Sequence, residues 1–287
     1  MSLSYNTKKP PYFSIIVATL NAERTIKKCV DSIIHQTAGD KIEILIKDGA
    51  STDNTIDILK TYKKEICYWE SAPDSGIYDA WNQILPKASG KWVLFLGADD
   101  TLFNNLVIAE SFPILEEAAE SIDISYGRVR LVSIENDTIL DLGRGWDRTR
   151  KCIKEKMCIP HQGIFHKRSL FSRYGYFNTD YYISSDYDFI RRVISEDNVL
   201  YMNMIISCMG VGGISSISQN TFIRLKEIRQ INKKYGNRIP GVLWLITFSN
   251  ACFRYCLFLL IGEQKARFLL DYFRGILGLP SYWSKFK

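Results

Sequence analysis

The chain has 287 residues, 46% hydrophobic and 24% charged, an ordinary globular balance with room for one large α/β domain plus additions or for two small domains. Its net charge of +6 permits attraction to phosphates or anionic lipid, but without a basic low-complexity tail or a nucleic-acid motif it does not make a nucleic-acid binder. Seven cysteines without a Cys-x-x-Cys pair fit a reduced cytosolic setting as small apolar fillers, and the polar, proline-containing residues 1–12 do not read as a signal peptide.

Phe13 to Val17 is an apolar, β-branched run and the first expected strand. The turn after it, Ala18 to Glu23, has neither Gly-x-Gly-x-x-Gly nor Gly-Lys-Ser/Thr, which speaks against a Rossmann dehydrogenase or a P-loop NTPase. Ala22 to Gln36 places Ile26, Val30, Ile33 and Ile34 at helical spacing; Asn21 caps that helix or faces a ligand where strand gives way to helix. Ile42 to Ile46 is the second strand. Turn and cap chemistry accounts for Gly49 and for Ser51 or Asp53 after it, but not for Asp48, an acceptor suited to the N–H of a base. A short third strand, Cys67 to Trp69, leads through Pro73 and Gly76 into a helix from Ile77. On that helix Asp79 and Asn82 share a face, and capping explains Asp74 or Ser75 more readily than these two.

Trp92 to Leu96 is wholly apolar and reads as a strand buried on both faces of a parallel sheet. Asp99 and Asp100 follow at its carboxyl end, where two carboxylates repel each other and lose hydration. A divalent cation resolves that conflict, and a turn or helix cap is the plainer alternative.

Phe103 to Ala119 is expected to be helical, Ile122 to Tyr126 a strand, and Arg128 to Val132 with Thr138 to Leu142 a hairpin about Glu135-Asn136-Asp137. Arg144 to Lys156 is a basic loop, either solvated or a lid over phosphates. In the expected strand Ile159 to Phe165, His161 and Gly163 share one face and Gln162 takes the other. Ser185 or Asp186 would cap a helix running through Phe189, Ile190 and Val193. Met209 to Ile214 and Ser215 to Gln219 form a glycine-rich flap or a turn. Thr221 to Tyr235 is an amphipathic helix with Arg224, Lys226, Arg229, Lys233 and Lys234 outward.

Taken together, Ile15-Ile16-Val17-Ala18-Thr19-Leu20-Asn21, Asp48-Gly49-Ala50-Ser51-Thr52-Asp53, Asp74-Ser75-Gly76-Ile77-Tyr78-Asp79-Ala80-Trp81-Asn82 and Phe95-Leu96-Gly97-Ala98-Asp99-Asp100 occur in order. This series resembles the family 2 inverting glycosyltransferases, clearly over residues 12–105 and more thinly over 160–195. The resemblance implies an α/β, glycosyltransferase A-type fold, with a Rossmann-like, mostly parallel central sheet flanked by helices and a C-terminal helical extension. It implies transfer of a sugar from a nucleotide donor, UDP-linked as in most of the family, to a glycan or lipid-linked acceptor of surface polysaccharide synthesis, assisted by Mn²⁺ or Mg²⁺. Thr19, Asn21 and Glu23 then hold the nucleoside, Asp48 the base, Asp74 the ribose or sugar, with Asp79 and Asn82 beside them. Asp99 is the metal ligand, Asp186 the general base, and His161 and Gln162 lie on the acceptor side. Two positions depart from the family pattern. Gly97 replaces the first aspartate of Asp-x-Asp, leaving a ribose contact to Asp100 or the backbone, and Ser185 replaces an acidic residue before Asp186. A non-catalytic scaffold that keeps the fold and a sugar-nucleotide nucleotidyltransferase are the rival readings.

The expected division is a tail over 1–11, a catalytic domain over 12–236 with a nucleotide half (12–105) and an acceptor half (106–236), and an extension over 237–287. Within the extension, Gly241 to Ile261 is almost wholly apolar, crossed by the polar stripe Thr247, Asn250 and Arg254. A second helix, Gln264 to Leu277, mixes aromatic and basic residues. A hairpin lying on the inner face of the cytoplasmic membrane is the favoured reading, ahead of a homodimer interface or a single span.

Overall fold

The computed structural model describes residues 10–133, 137–211, 220–279 and 281–285. The chain runs β1 (Phe13–Thr19), α1 (Ile26–Ile34), β2 (Ile42–Asp48), α2 (Thr55–Thr61), β3 (Tyr68–Ser71), α3 (Ile77–Ile84), β4 (Trp92–Gly97), β5 (Thr101–Leu102) and α4 (Val107–Glu117). It continues with β6 (Ile124–Val132), β7 (Thr138–Leu142), α5 (Trp146–Cys152), β8 (Ile164–Lys167), α6 (Ser169–Tyr174), α7 (Ser185–Val193), β9 (Val199–Gly210), α8 (Asn220–Lys234), α9 (Val242–Ile261) and α10 (Glu263–Ile276).

One sheet organises these elements in the order β3-β2-β1-β4-β8-β6-β9-β5, with β7 beside β6. The first four strands are mutually parallel, β8 is antiparallel to both β4 and β6, and β6 is parallel to β9. Burial on both faces explains why β1 and β4 are continuous apolar runs: Ile16 and Phe95 face one core with Tyr78, Trp81 and Tyr187, whereas Ile15, Val17 and Leu94 face another with Ile26, Val30 and Leu115. Parallel pairing also brings the carboxyl ends of β1 to β4 to one edge, in register Thr19 with Asp48, Ala18 with Gly97 and Asp48 with Ser71. The connections that leave this edge carry Asn21, Asp48, Asp74 and Asp99, the place where open α/β sheets bind ligands.

Several expectations need correction. Arg128 to Val132 is not a separate strand but the continuation of β6 from Ile124, antiparallel to β7. The basic segment contains a helix, α5, rather than a plain loop. His161 to Gly163 is a 3₁₀ turn that enters β8, so the alternation expected of a strand does not apply there. β9, which the sequence reading left unassigned, lies inside the sheet between β6 and β5. Cys152 and Cys158 are joined as a disulfide, so not every cysteine is apolar filler. Glu135, Asn136 and the flap residues 212–219 lie outside the described residues.

The C-terminal helices differ from the rest in exposure. α9 has 20 residues with a mean hydropathy of 1.5, long and apolar enough to cross a membrane by length and composition. Ala251 is its one buried residue among those described, while Leu259 and Leu260 are 70% and 80% exposed. α10 adds Phe268, Tyr272, Phe273 and Ile276, all exposed. Monomeric proteins seldom leave so much contiguous apolar surface in water.

Candidate active site

The β1 and β2 exits are tied together by cross-bonds. The Asn21 N–H donates to Ser51 Oγ (2.7 Å), and Asn21 Oδ1 accepts from the Thr52 N–H (2.9 Å). Glu23 Oε2 accepts from the backbone and side-chain nitrogens of Asn54 (3.1 and 3.0 Å), and the Glu23 N–H donates to Asp53 Oδ2 (3.0 Å). Asn21 and Ala50 hold φ of 50° and 65°, left-handed values that cost a non-glycine residue energy and persist only where neighbours enforce them. Asn21 is therefore not the cap of α1, whose cap position is Thr25. Thr19 is buried with Oγ1 unpartnered.

Asp48 is fully buried. Its Oδ1 accepts from Ser51 Oγ (2.5 Å), and its Oδ2 accepts from the Ser51 N–H (2.9 Å) and Ser71 Oγ (2.6 Å). These bonds make it the staple of the β2 exit, where the sequence suggested an acceptor waiting for a base. Beside it, the buried Lys47 ammonium donates to the carbonyls of Asp48 (3.1 Å) and Ala72 (2.5 Å), fastening β3 to β2. Asp74 accepts from the Gly76 N–H (3.0 Å) and lies against Gly49, where a Cβ would stand 2.7 Å from Asp74 Oδ2. The absent Cβ at Gly49 thus lets the Asp74 carboxylate approach closely.

Capping, expected to explain neither Asp79 nor Asn82, does explain Asp79, whereas Asn82 is held elsewhere. Asp79 Oδ2 accepts from Ser75 N–H (2.8 Å), Ser75 Oγ (3.0 Å) and Gln83 Nε2 (3.1 Å), securing the start of α3; the Ser75 N–H heads the causes that hold its carboxyl below the usual range. Asn82 clamps a distant backbone, donating to Phe177 O (2.8 Å) and accepting from Phe177 N–H (3.0 Å).

A cleft of about 1430 Å³ opens beside the β4 tip, and its walls bring together Asp99, Asp100, His161, Gln162 and Asp186. The other sequence-expected residues, Thr19, Asn21, Glu23, Asp48, Asp74, Asp79 and Asn82, do not line it. Asp99 is exposed, whereas Asp100 is buried with Oδ2 on the Gly97 N–H (2.8 Å) and Oδ1 unpartnered. Burial first, and then the Asp99 charge, pushes the Asp100 carboxyl well above the carboxylate range, against the pull of the Gly97 N–H and the Gln162 side chain. A Cβ at Gly97 would lie 2.8 Å from Asp99 Oδ1 and 3.1 Å from Asp100 Oδ2, so the missing aspartate leaves room for this pair. Two adjacent hard oxygen donors, one of them buried and bare, fit Mg²⁺ or Mn²⁺, ions held by one or two carboxylates and completed by water and substrate phosphate. Among the described residues, no set of three or more His, Cys, Asp or Glu forms a closed cage.

Asp186 begins α7 across the cleft. Its Oδ1 accepts from the Tyr187 N–H (2.7 Å) and lies 3.1 Å from the Tyr78 hydroxyl, which also donates to Ile183 O (2.7 Å). Desolvation pushes Asp186 up to about 6, moderated by Tyr187 N–H and the Tyr78 hydroxyl. Neither Ser185 nor Asp186 occupies the cap position of α7: that is Ser184, whose side chain makes no capping bond. The backbone before the helix is held instead by buried Glu227 of α8, which accepts from the N–H groups of Tyr182 (2.7 Å), Ile183 (3.1 Å) and Ser184 (2.9 Å). Asp188 is spoken for by Arg192 (2.7 Å) and Lys234 (2.9 Å), so Lys234 is not a free surface charge.

His161 is buried against Trp81, Phe95 and His166 (ring centroids 5.0, 5.6 and 5.2 Å apart), and neither ring nitrogen has a partner. Burial and then His166 push it well below the usual histidine range, so it is a neutral imidazole at the cleft wall. Sequence reasoning missed Tyr78, whose motif was quoted without a role, and Glu227, a lone acid on a basic helix. It also turned Arg224 outward, whereas Arg224 lines the cleft.

A family model described as glycosyl transferase family 2 matches residues 14–170. The chain is 36% identical to a PGL/p-HBAD biosynthesis glycosyltransferase of Mycobacterium bovis, over 81% of this chain and 90% of that protein. Among solved structures it resembles S. aureus TarS 1-349 in complex with UDP-GlcNAc (TM-score 0.60, 18% identity, 76% of this chain and 66% of that one). It also resembles the mannosyltransferase PcManGT from Pyrobaculum calidifontis in complex with GDP-Man and Mn²⁺ (TM-score 0.60, 18% identity, 93% and 81%). The curled α/β sheet, the acidic tip of β4 and the matched sequence agree: this chain belongs to glycosyl transferase family 2.

Proposed function

We propose that this glycosyltransferase inverts the anomeric centre as it moves a sugar from a UDP-linked donor to a glycan or lipid-linked acceptor of surface polysaccharide synthesis. The observation that carries the reading is the placement of Asp99 and Asp186 on the walls of one cleft. Inversion needs a single in-line displacement, so one base suffices and no covalent intermediate is required. Asp186, with a carboxyl that titrates at about 6, is ionised at neutral pH yet basic enough to take the proton of an attacking hydroxyl. Tyr78 and Glu227 hold that carboxylate in position, one through its side chain and the other through the preceding backbone.

On the donor side, the cross-bonded β1 and β2 exits form a rigid rim for the nucleoside, with Thr19, Asn21, Glu23, Asp48 and Asp74 building it. Asp99, with Asp100 beneath, would hold Mn²⁺ or Mg²⁺; when bound, such an ion supplies neutralising charge for the departing diphosphate. The PcManGT complex with Mn²⁺ and the TarS complex with UDP-GlcNAc support metal use and a UDP donor respectively. His161 and Gln162 border the acceptor position. We place the exposed apolar hairpin α9–α10 on the inner face of the cytoplasmic membrane, with 237–287 as an extension of a catalytic domain over 12–236; its exposed aromatic and aliphatic residues support this. Titration calorimetry with UDP, with and without Mn²⁺, followed by a screen of nucleotide sugars for slow hydrolysis, tests the reading. Tighter UDP binding with Mn²⁺ and release of one sugar are expected; no nucleotide binding under either condition would overturn it.

A further inference from the structure

Two arginines on the cleft wall are not used by the chemistry above. Arg224 projects from α8 and Arg254 from α9, and both border the cavity that holds Asp186. Among the described residues neither guanidinium has a hydrogen bond or an ion pair. Arg254 instead lies over the Trp283 ring, 4.8 Å from its centroid. That ring is fixed on purpose-built backbone: Asp271 of α10 accepts from the N–H groups of Tyr282 (2.8 Å), Trp283 (2.9 Å) and Ser284 (2.7 Å), folding the chain end back against the cleft. Glu263, an acid that lines the same cleft, is paired with Arg267 (2.5 Å). Burial weighs on both, and Arg254 also feels the Arg224 charge. Two half-buried guanidinium groups on one cleft wall repel each other, and an anion between them would relieve that repulsion. Arginine forks match phosphate oxygens, making phosphate the fitting anion.

What surrounds the pair narrows the source of that phosphate. Arg224 and Asp186 line the same cleft, so an anion held by the arginines would share that cleft with the base. Arg254 belongs to the apolar helix whose exposed Leu259 borders the same cleft, with exposed Leu260 next to it in the chain. We propose that Arg224 and Arg254 bind the phosphate headgroup of a lipid-linked acceptor, its hydrocarbon chain leaving along the exposed face of α9. This rests on the glycosyltransferase reading for the word acceptor, but the site itself is a lipid-phosphate site whichever reaction it serves.

The test uses the full-length chain and titration calorimetry with dodecyl phosphate below its micelle concentration, inorganic phosphate, dodecyl maltoside, and UDP with Mn²⁺. Wild type is expected to bind dodecyl phosphate at least tenfold more tightly than either inorganic phosphate or dodecyl maltoside. Arg224→Gln and Arg254→Gln should each weaken dodecyl phosphate about tenfold, Arg254→Lys less so, with melting temperatures near wild type and UDP affinity within twofold. If the variants lose UDP and not dodecyl phosphate, the arginines serve the donor and the proposal is overturned. Equal binding of dodecyl maltoside, or undiminished dodecyl phosphate binding in the double variant, also overturns it. Arginine-dependent dodecyl phosphate binding in a chain that ignores UDP supports the site while removing the glycosyltransferase reading, so the two failures are separate.

Discussion

The Tyr78 hydroxyl lies 3.1 Å from Asp186 Oδ1, a contact across 108 residues of sequence that joins α3 to the start of α7. It makes the proposed base answerable to α3, because the bond favours the charged carboxylate that burial opposes.

Asp186→Asn should keep UDP binding and lose at least a thousandfold in transfer, read by steady-state kinetics beside calorimetry. With Asp186 titrating at about 6, the wild-type kcat/KM should fall tenfold per pH unit below that value. Tyr78→Phe removes a bond that lowers this value, so its acid limb should move to higher pH. An unchanged limb would mean that Tyr78 does not act on the base.

The same residue makes a stability prediction of opposite sense. The folded-state value is raised above the unfolded one, so between about 4 and 6 the native state binds the extra proton and stability falls as pH rises. At pH 8 Asp186→Asn should therefore stabilise the fold, by up to roughly 3 kcal/mol, and at pH 3 hardly at all. Urea unfolding at the two pH values checks the difference.

Asp99→Ala should leave melting unchanged, since the side chain is exposed, but abolish the Mn²⁺ dependence of UDP binding. Gly97→Ala pushes a methyl against both Asp99 and Asp100. Because the ends of those side chains can swing aside, stability should change little, while the Mn²⁺ effect on UDP affinity falls about tenfold, as calorimetry would show.

Glu227→Ala strips one acceptor from three N–H groups ahead of α7. Leaving these donors unsatisfied should cost about 3 kcal/mol in chemical denaturation, and kcat should fall more than UDP affinity. A loss confined to stability would limit Glu227 to folding.

Asn82→Ala separates support from contact. Its amide serves the Phe177 backbone, so the variant should lose roughly 1–2 kcal/mol of stability and keep the donor KM of wild type. A large rise in donor KM at unchanged stability would restore a direct ligand role.

Much of the sheet was legible because its signals are local. Trp92 to Leu96 is apolar since both faces are covered, and Gly76 marks a turn by its own backbone need. β9 escaped notice because a strand inside the sheet need not alternate: Asn203 is exposed while Ile205, Ile206 and Ser207 are all buried. The roles of polar residues were less legible for a different reason. Asp48, Asp79 and Asn82 look like free functional groups in sequence, yet each is occupied by donors or acceptors; Asp48 meets Ser71, 23 residues away, and Asn82 meets Phe177, 95 away.

By itself the sequence determined the succession of strands and helices and the acids that stand at strand ends, because hydrophobic period and turn chemistry act over a few residues. Tertiary structure alone decided which acids stay open to the cleft, and it brought Tyr78, Glu227, Arg224 and Arg254 to the neighbourhood of Asp186. The physical reason is that a polar group's job depends on whether burial leaves it a partner, and those partners come from parts of the chain that only folding brings together.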